Sequence, residues 1–191
     1  MRSYGWLWFQ DGDNRRKRKC LVADVAAGFV GLAVARVLAL TVVRPQSLNV
    51  PELMTRIPYG IEAASWEGWN SFPSDHAVLF FGLATGIFFA SRRVGVFTFI
   101  YLTAFICLPR LYLGIHYPTD ILSGPLIGIS AGWLANRPAI AEFLSDWAFR
   151  WLDARPGQFY SFAFLLSYLL SKLFDPAIRI AHFVLGKHPV R

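Results

Sequence analysis

His116 and Asp120 stand four residues apart, with Pro118 between them. Proline suits the first position of a helix, which puts His116 just before a helix and Asp120 in its first turn. There Asp120 can accept a hydrogen bond from one ring nitrogen. That bond fixes the tautomer and raises the basicity of the other nitrogen, so His116 is a candidate nucleophile. His76, on a different segment, can protonate a leaving oxygen. Arg44 and Arg110 can grip phosphate oxygens in pairs and stabilise transition-state charge. Ser74, Asp75 and His76 open an apolar run, and a helix N-terminus attracts anions. The set fits phosphoryl transfer. His-x3-Asp alone is weak ground for a metal site, and no metal or cofactor is expected. Taken singly, each residue has an ordinary explanation: Ser74 as an N-cap, Arg110 as a snorkelling cation, His76 as a capping histidine, His116 and Asp120 as a local pair. Their joint placement at the ends of apolar segments is harder to explain as anchoring.

Those segments set the class of the protein. The chain has 191 residues, 55% hydrophobic and only 16% charged, with 17 Phe and 7 Trp. Soluble domains carry about a quarter charged residues, so the composition points to lipid as part of the solvent. Two cysteines, Cys20 and Cys107, exclude a disulfide scaffold and are expected to be unpaired. Five apolar runs are expected to form helices: Leu21 to Val43, the stretch after Pro73-Ser74 to Ala90, Val94 to Leu108, Pro118 to Ala135, and a weaker one from Phe159 to Leu173. The first contains Asp24 and Arg36 and stops at Arg44-Pro45, because proline disfavours helix in the residue before it. The fold class expected is all-α, a polytopic transmembrane bundle of about five membrane helices. Residues 1–19 form a basic cytoplasmic segment, 20–136 the catalytic membrane core, and 137–191 C-terminal amphipathic or membrane helices.

The net charge of +7 could serve nucleic acid, but its placement serves orientation. Arg15-Arg16-Lys17-Arg18-Lys19 directly precedes an apolar run. With the N-terminus inside, the inner segments hold eleven Lys and Arg and the outer ones three over the first four runs, as the positive-inside rule requires. No nucleic-acid partner is expected. The first nineteen residues lack the apolar core of a secretory signal. The cations of the tail break the pattern, so Phe143 to Phe174 can instead hold an interfacial amphipathic helix. Gly124, Gly128 and Gly132, with Gly82 and Gly86, give smooth helix faces for close packing, and Pro125 should kink its helix. Trp66, Trp69, Tyr59 and Phe72, in the long outer loop Gln46 to Phe72, read as interfacial anchors or as part of a lipid gate.

Pro73-Ser74-Asp75-His76 and Arg110-x5-His116-x3-Asp120 resemble the second and third signatures of the type 2 phosphatidic acid phosphatase (PAP2) superfamily. Arg44-Pro45 is similar to the end of its first signature, Lys-x6-Arg-Pro. The match covers roughly residues 30–136. The resemblance implies a metal-independent lipid phosphatase with a phosphohistidine intermediate on His116, partnered by Asp120. It makes His76 the general acid, later activating water. It gives Arg44, Arg110, Ser74 and the Asp75 backbone amide to the phosphoryl group. Three positions depart from the pattern: Val37 replaces the lysine, Pro109 the serine before Arg110, and Asp75 a glycine. Arg36, one place before the lost lysine, is a possible substitute. An acidic side chain beside a phosphate repels it unless it turns away or meets a cation. Pro-Ser-Asp-His resembles bacterial undecaprenyl-diphosphate phosphatases, which implies a polyprenyl diphosphate substrate at the outer face of a bacterial cytoplasmic membrane. Members of the family commonly have two helices before the first signature, so a leading helix is expected to be missing here. Three alternatives stay open. One is a phosphatidic acid, phosphatidylglycerophosphate or lipid A phosphatase. The second is a non-catalytic lipid-binding or transport protein on the same fold. The third is the vanadate-dependent haloperoxidase relatives, against which the apolar spans argue. The partners expected are the lipid substrate and membrane lipids; the sequence leaves the oligomeric state open.

Overall fold

Prolines and serines punctuate this chain into helices. The computed structural model describes residues 7–9, 15–42, 44–45, 50 and 70–172, and all the regular elements among them are helical. We number them α1 (Arg15–Thr41), α2 (Asp75–Ala90), α3 (Arg92–Tyr112), α4 (Pro118–Ala135), α5 (Pro138–Ala154) and α6 (Pro156–Lys172). Pro118, Pro138 and Pro156 each open a helix, where a missing N–H costs nothing. The basic run is not a tail ahead of α1 but its first turn and more, since Arg and Lys are good helix formers. Tyr59, Trp66 and Trp69 lie outside the described residues, as do Val43, Leu173 and the cations beyond Lys172.

α1 and α3 are long and apolar enough to cross a membrane. α2 is apolar but has 16 residues, a length of about 24 Å. The distribution of size supports a lipid surround. Apart from Leu21 near its start, the buried face of α1 is small or polar: Ala23, Asp24, Ala27, Gly28, Gly31 and Ala35. Many of its large apolar residues, Phe29, Val30, Val34, Val37 and Leu40 among them, are exposed. Phe97 and Phe105 of α3 and Leu122 and Leu126 of α4 are also exposed. Large residues outward and small ones inward is the pattern of helices packed in hydrocarbon.

The chain divides into two compact units, with the boundary between Ser145 and Asp146, inside α5. In the larger unit α2 is central, packed against α1, α3 and α4. Residues 77–87 of α2 are all buried, as expected of a helix apolar on every side. Glycines allow the close approach. A Cβ on Gly128 would overlap the Val78 carbonyl oxygen and stand 2.8 Å from the Gly82 nitrogen. Both are backbone atoms and cannot swing away. Gly128→Val is therefore expected to destabilise the protein by about 3 kcal/mol or more, read as a lower thermal midpoint in detergent. Gly157→Ala is the control. It has open space around it, and alanine gains helix propensity there.

Asp24 is fully buried. Its Oδ2 accepts a 2.7 Å hydrogen bond from Asn136 Nδ2 at the end of α4, and it packs against Gly86 and Gly132. This ties α1 to α2 and α4 at the end opposite Arg44. The third run does not stop at Pro109-Arg110. α3 continues to Tyr112 because a π-helical turn, Thr103–Cys107, precedes the proline and widens the helix where a ring must fit. α4 runs unbroken through Pro125. In the smaller unit, Trp151 packs on Phe159 and Phe162, with ring centroids 5.6 Å and 5.3 Å away.

Candidate active site

The site begins with how α1 ends. Its last carbonyls need donors, and Asn70 supplies them from far along the chain. The Asn70 amide donates to the Ala39 and Val42 carbonyls, at 2.5 Å and 2.7 Å. Its Oδ1 accepts from the Arg44 N–H at 3.0 Å. Pro45 and Asn70 pair as an isolated antiparallel bridge, and the Ser71 N–H donates to the Arg44 carbonyl at 2.8 Å. Residues 70–74 are thereby laid beside Arg44. Ser71 and Ser74 are fully buried, and α2 starts at the next residue.

The approach to α4 is equally determined. Gly114 adopts a positive φ of 66°, which suits a residue without Cβ. The Ile115 N–H donates to the Arg110 carbonyl at 3.0 Å and the Gly114 N–H to that of Leu111 at 3.1 Å. This paired cap ends α3 and turns the chain so that His116 precedes Tyr117 and Pro118. Asp120, in the first turn of α4, turns its carboxylate back onto the Tyr117 N–H at 2.9 Å.

The ring of His116 is 8% exposed. Its Nδ1 lies 2.9 Å from the Ser71 carbonyl oxygen, and its Nε2 lies 3.3 Å from Ser74 Oγ. A carbonyl only accepts, so in the neutral ring Nδ1 carries the proton and Nε2 carries the lone pair. The His116-x3-Asp120 spacing assigns that orienting role to Asp120. Here Asp120 Oδ2 is 3.8 Å from Nδ1, an ion-pair distance, and the backbone of Ser71 is the nearer partner. The reason is local. The Asp120 carboxylate is occupied by the Tyr117 N–H, the Ser71 hydroxyl and Arg44.

Arg44 Nη1 donates to Thr119 Oγ1 at 2.6 Å and to Asp120 Oδ1 at 3.3 Å. Its guanidinium stacks 3.7 Å from the centre of the Tyr117 ring, which fixes its plane. Arg110 is 7% exposed, and its Nε has no hydrogen-bond partner among the described residues. Asp75 forms a 2.6 Å ion pair with Arg36 and lies within electrostatic reach of His116 and Arg110. His76 follows Asp75 on α2, half-buried, with its ring 6.0 Å from that of Phe80. Direct contacts thus join Arg44, Ser74, His116 and Asp120, while Asp75 and Arg36 form a second pair near them. Asn70, Ser71, Tyr117 and Thr119 also take part in the site, roles that residue type and spacing do not assign them. Asn70 and Ser71 sit in a loop notable for its aromatics, and nothing in their spacing marks them.

Two helices apolar enough to cross a membrane, and a His–Asp–Arg cluster at the helix ends with its His116 and Asp120 buried, point to the class. The chain belongs to the PAP2 superfamily, whose pattern matches residues 26–140. It is 28% identical over 134 residues to undecaprenyl-diphosphatase BcrC of Bacillus subtilis, covering 69% of this chain and 62% of that protein. It is 46% identical over 68 residues to the lipid A 4'-phosphatase of Bacteroides thetaiotaomicron, covering 35% and 30%. It is 31% identical over 122 residues to the decaprenylphosphoryl-5-phosphoribose phosphatase of Mycobacterium tuberculosis, covering 64% and 62%. Each match spans less than two thirds of the relative's own length. No solved structure matches the chain.

Proposed function

We propose that the protein hydrolyses a polyprenyl diphosphate, undecaprenyl diphosphate being the first choice, to the monophosphate. The observation that carries this is the orientation of His116. With Nδ1–H held by the Ser71 carbonyl, the Nε2 lone pair faces Ser74 at the start of α2, where an anion is favoured. Nε2 attacks the terminal phosphorus, and the bond from that phosphorus to the bridging oxygen breaks. His76 gives its proton to the departing oxygen. A water then attacks the phosphohistidine, returning a proton to His76 and releasing phosphate from Nε2. The ring is cationic while phosphorylated, and the Asp120 carboxylate 3.8 Å away stabilises that charge. Arg110, buried with an unused N–H, and Arg44 hold the phosphoryl oxygens, with Ser74 and the Asp75 amide.

In this reading about five helices lie in the membrane, and the site faces the outside of a bacterial cytoplasmic membrane. The excess of Lys and Arg on the opposite side supports that orientation. The relative named undecaprenyl-diphosphatase supports the substrate. The relative named for lipid A favours a lipid phosphate monoester as the second choice. The test is phosphate release by purified protein in detergent with EDTA, from undecaprenyl diphosphate beside phosphatidic acid. Release from the diphosphate, at the faster rate, is expected. Faster release from phosphatidic acid moves the substrate to monoesters, and release from neither overturns the reading.

A further inference from the structure

One departure from the family pattern, Asp75, meets in space the residue beside another, Arg36. Val37, at the lysine position, is 62% exposed on α1, on the face that carries the large apolar residues. It does not reach the site. Arg36, one residue earlier, extends instead to Asp75, the other departure, with Nη2 2.6 Å from Oδ2. The arginine answers the difficulty that the acid raises, because a carboxylate beside a phosphate site needs a cation.

The pair does more than cancel. Arg36 lies five residues before the end of α1 at Thr41, roughly 8 Å down the helix axis. Its guanidinium therefore comes up to the site from the side of the bilayer. The Arg36 side chain is 62% exposed and that of Asp75 21%. The ion pair uses one Nη2 contact of a group with five N–H donors in a fixed fork, so donors remain for a second anion. Arg44 and Arg110 are placed differently: Arg44 stands at the end of α1 against Thr119, Asp120 and Tyr117 and Arg110 is buried, and both are already assigned to the terminal phosphoryl group.

A lipid diphosphate bound for attack by His116 has its terminal phosphoryl group at Nε2 and its lipid-linked phosphate on the membrane side. We propose that Arg36, held by Asp75, binds the lipid-linked phosphate and sets the preference for diphosphates over monoesters. The inference rests on the function proposed above. Arg36 is a specificity residue: its contact exists only when the substrate has a second phosphate.

The experiment measures kcat/KM for undecaprenyl diphosphate and for phosphatidic acid, in wild type, Arg36→Gln and Arg36→Gln/Asp75→Asn. The single variant leaves an unpaired carboxylate near both lipids and slows both. The double variant removes that charge. Asparagine keeps the backbone amide at position 75, so the monoester rate rises above that of the single variant, while the ratio of diphosphate to monoester stays about tenfold or more below the wild-type ratio, the worth of a charge-assisted hydrogen bond. Recovery of both lipids alike overturns the inference, because the pair then serves only to neutralise Asp75. A single-variant ratio equal to wild type also overturns it. A measurement on unaltered protein stands beside these: inorganic pyrophosphate should inhibit at about a tenfold lower concentration than orthophosphate. Equal inhibition overturns the inference without any variant. Release of phosphate from neither lipid by wild type overturns the proposed function itself, and this inference with it.

Discussion

Replacement of His116 by alanine is expected to lower phosphate release roughly 10⁴-fold or more, the usual loss when a nucleophile is removed from a set of residues acting together. The size follows from covalent catalysis, in which one hard displacement becomes two easier ones. Without Nε2, water must attack the phosphorus directly in one harder step. Alanine also leaves the Ser71 carbonyl and the Ser74 hydroxyl without the ring that joins them, so some loss of stability accompanies it. His116→Gln separates the two effects. Its side-chain amide can still donate to a carbonyl, but it is no nucleophile. Both variants should lose turnover, and the glutamine variant should melt nearer to wild type. Wild-type rates in either variant would sink the histidine mechanism. Loss of turnover in the wild type itself, with lipid binding kept, would favour a non-catalytic lipid-binding protein.

The parts of this site that are legible in the sequence are those fixed by local rules. Pro118 opens α4 where proline is favoured, so the placement of His116 before the helix and Asp120 in its first turn follows from spacing alone. Ser74 before α2 is similar. The glycine spacing on α2 and α4 is readable because small residues at every fourth position make one face, and Gly82 does meet Gly128. What spacing cannot show is contact between distant segments. The Ser71 carbonyl orients His116 across 45 residues, and backbone groups leave no mark on residue type. Asn70 caps α1 from about 30 residues away. The continuation of α3 past Pro109 depends on the π turn before it, which no proline rule anticipates. The Arg36–Asp75 pair lies between these cases. Both residues stand out in the sequence, but only the fold brings their side chains within 2.6 Å.

The second large effect concerns His76, and it depends on what leaves. Phosphatidic acid releases an alcohol, which departs readily only with a proton. A lipid diphosphate releases a phosphate monoester, already a stable anion, with a second pKa of about 6. His76→Ala removes the acid from the first step and the base from the second. For phosphatidic acid the first step becomes the slow one, and turnover should fall roughly 10²–10⁴-fold with no covalent intermediate building up. For undecaprenyl diphosphate the first step survives better, because its leaving group needs the proton less. Hydrolysis of the phosphohistidine then limits turnover, since water attacks without a base. The variant should release a burst of lipid monophosphate equal to the enzyme present, and carry phosphate on His116 that survives alkali and is lost in acid. Rapid-quench measurement of lipid monophosphate, with mass spectrometry of the protein, reads both. The same variant thus behaves in opposite ways with the two lipids, which no purely structural role for His76 would produce. A loss of equal size with both, and no phosphorylated His116 with either, would remove His76 from proton transfer and leave it as a residue that shapes the pocket.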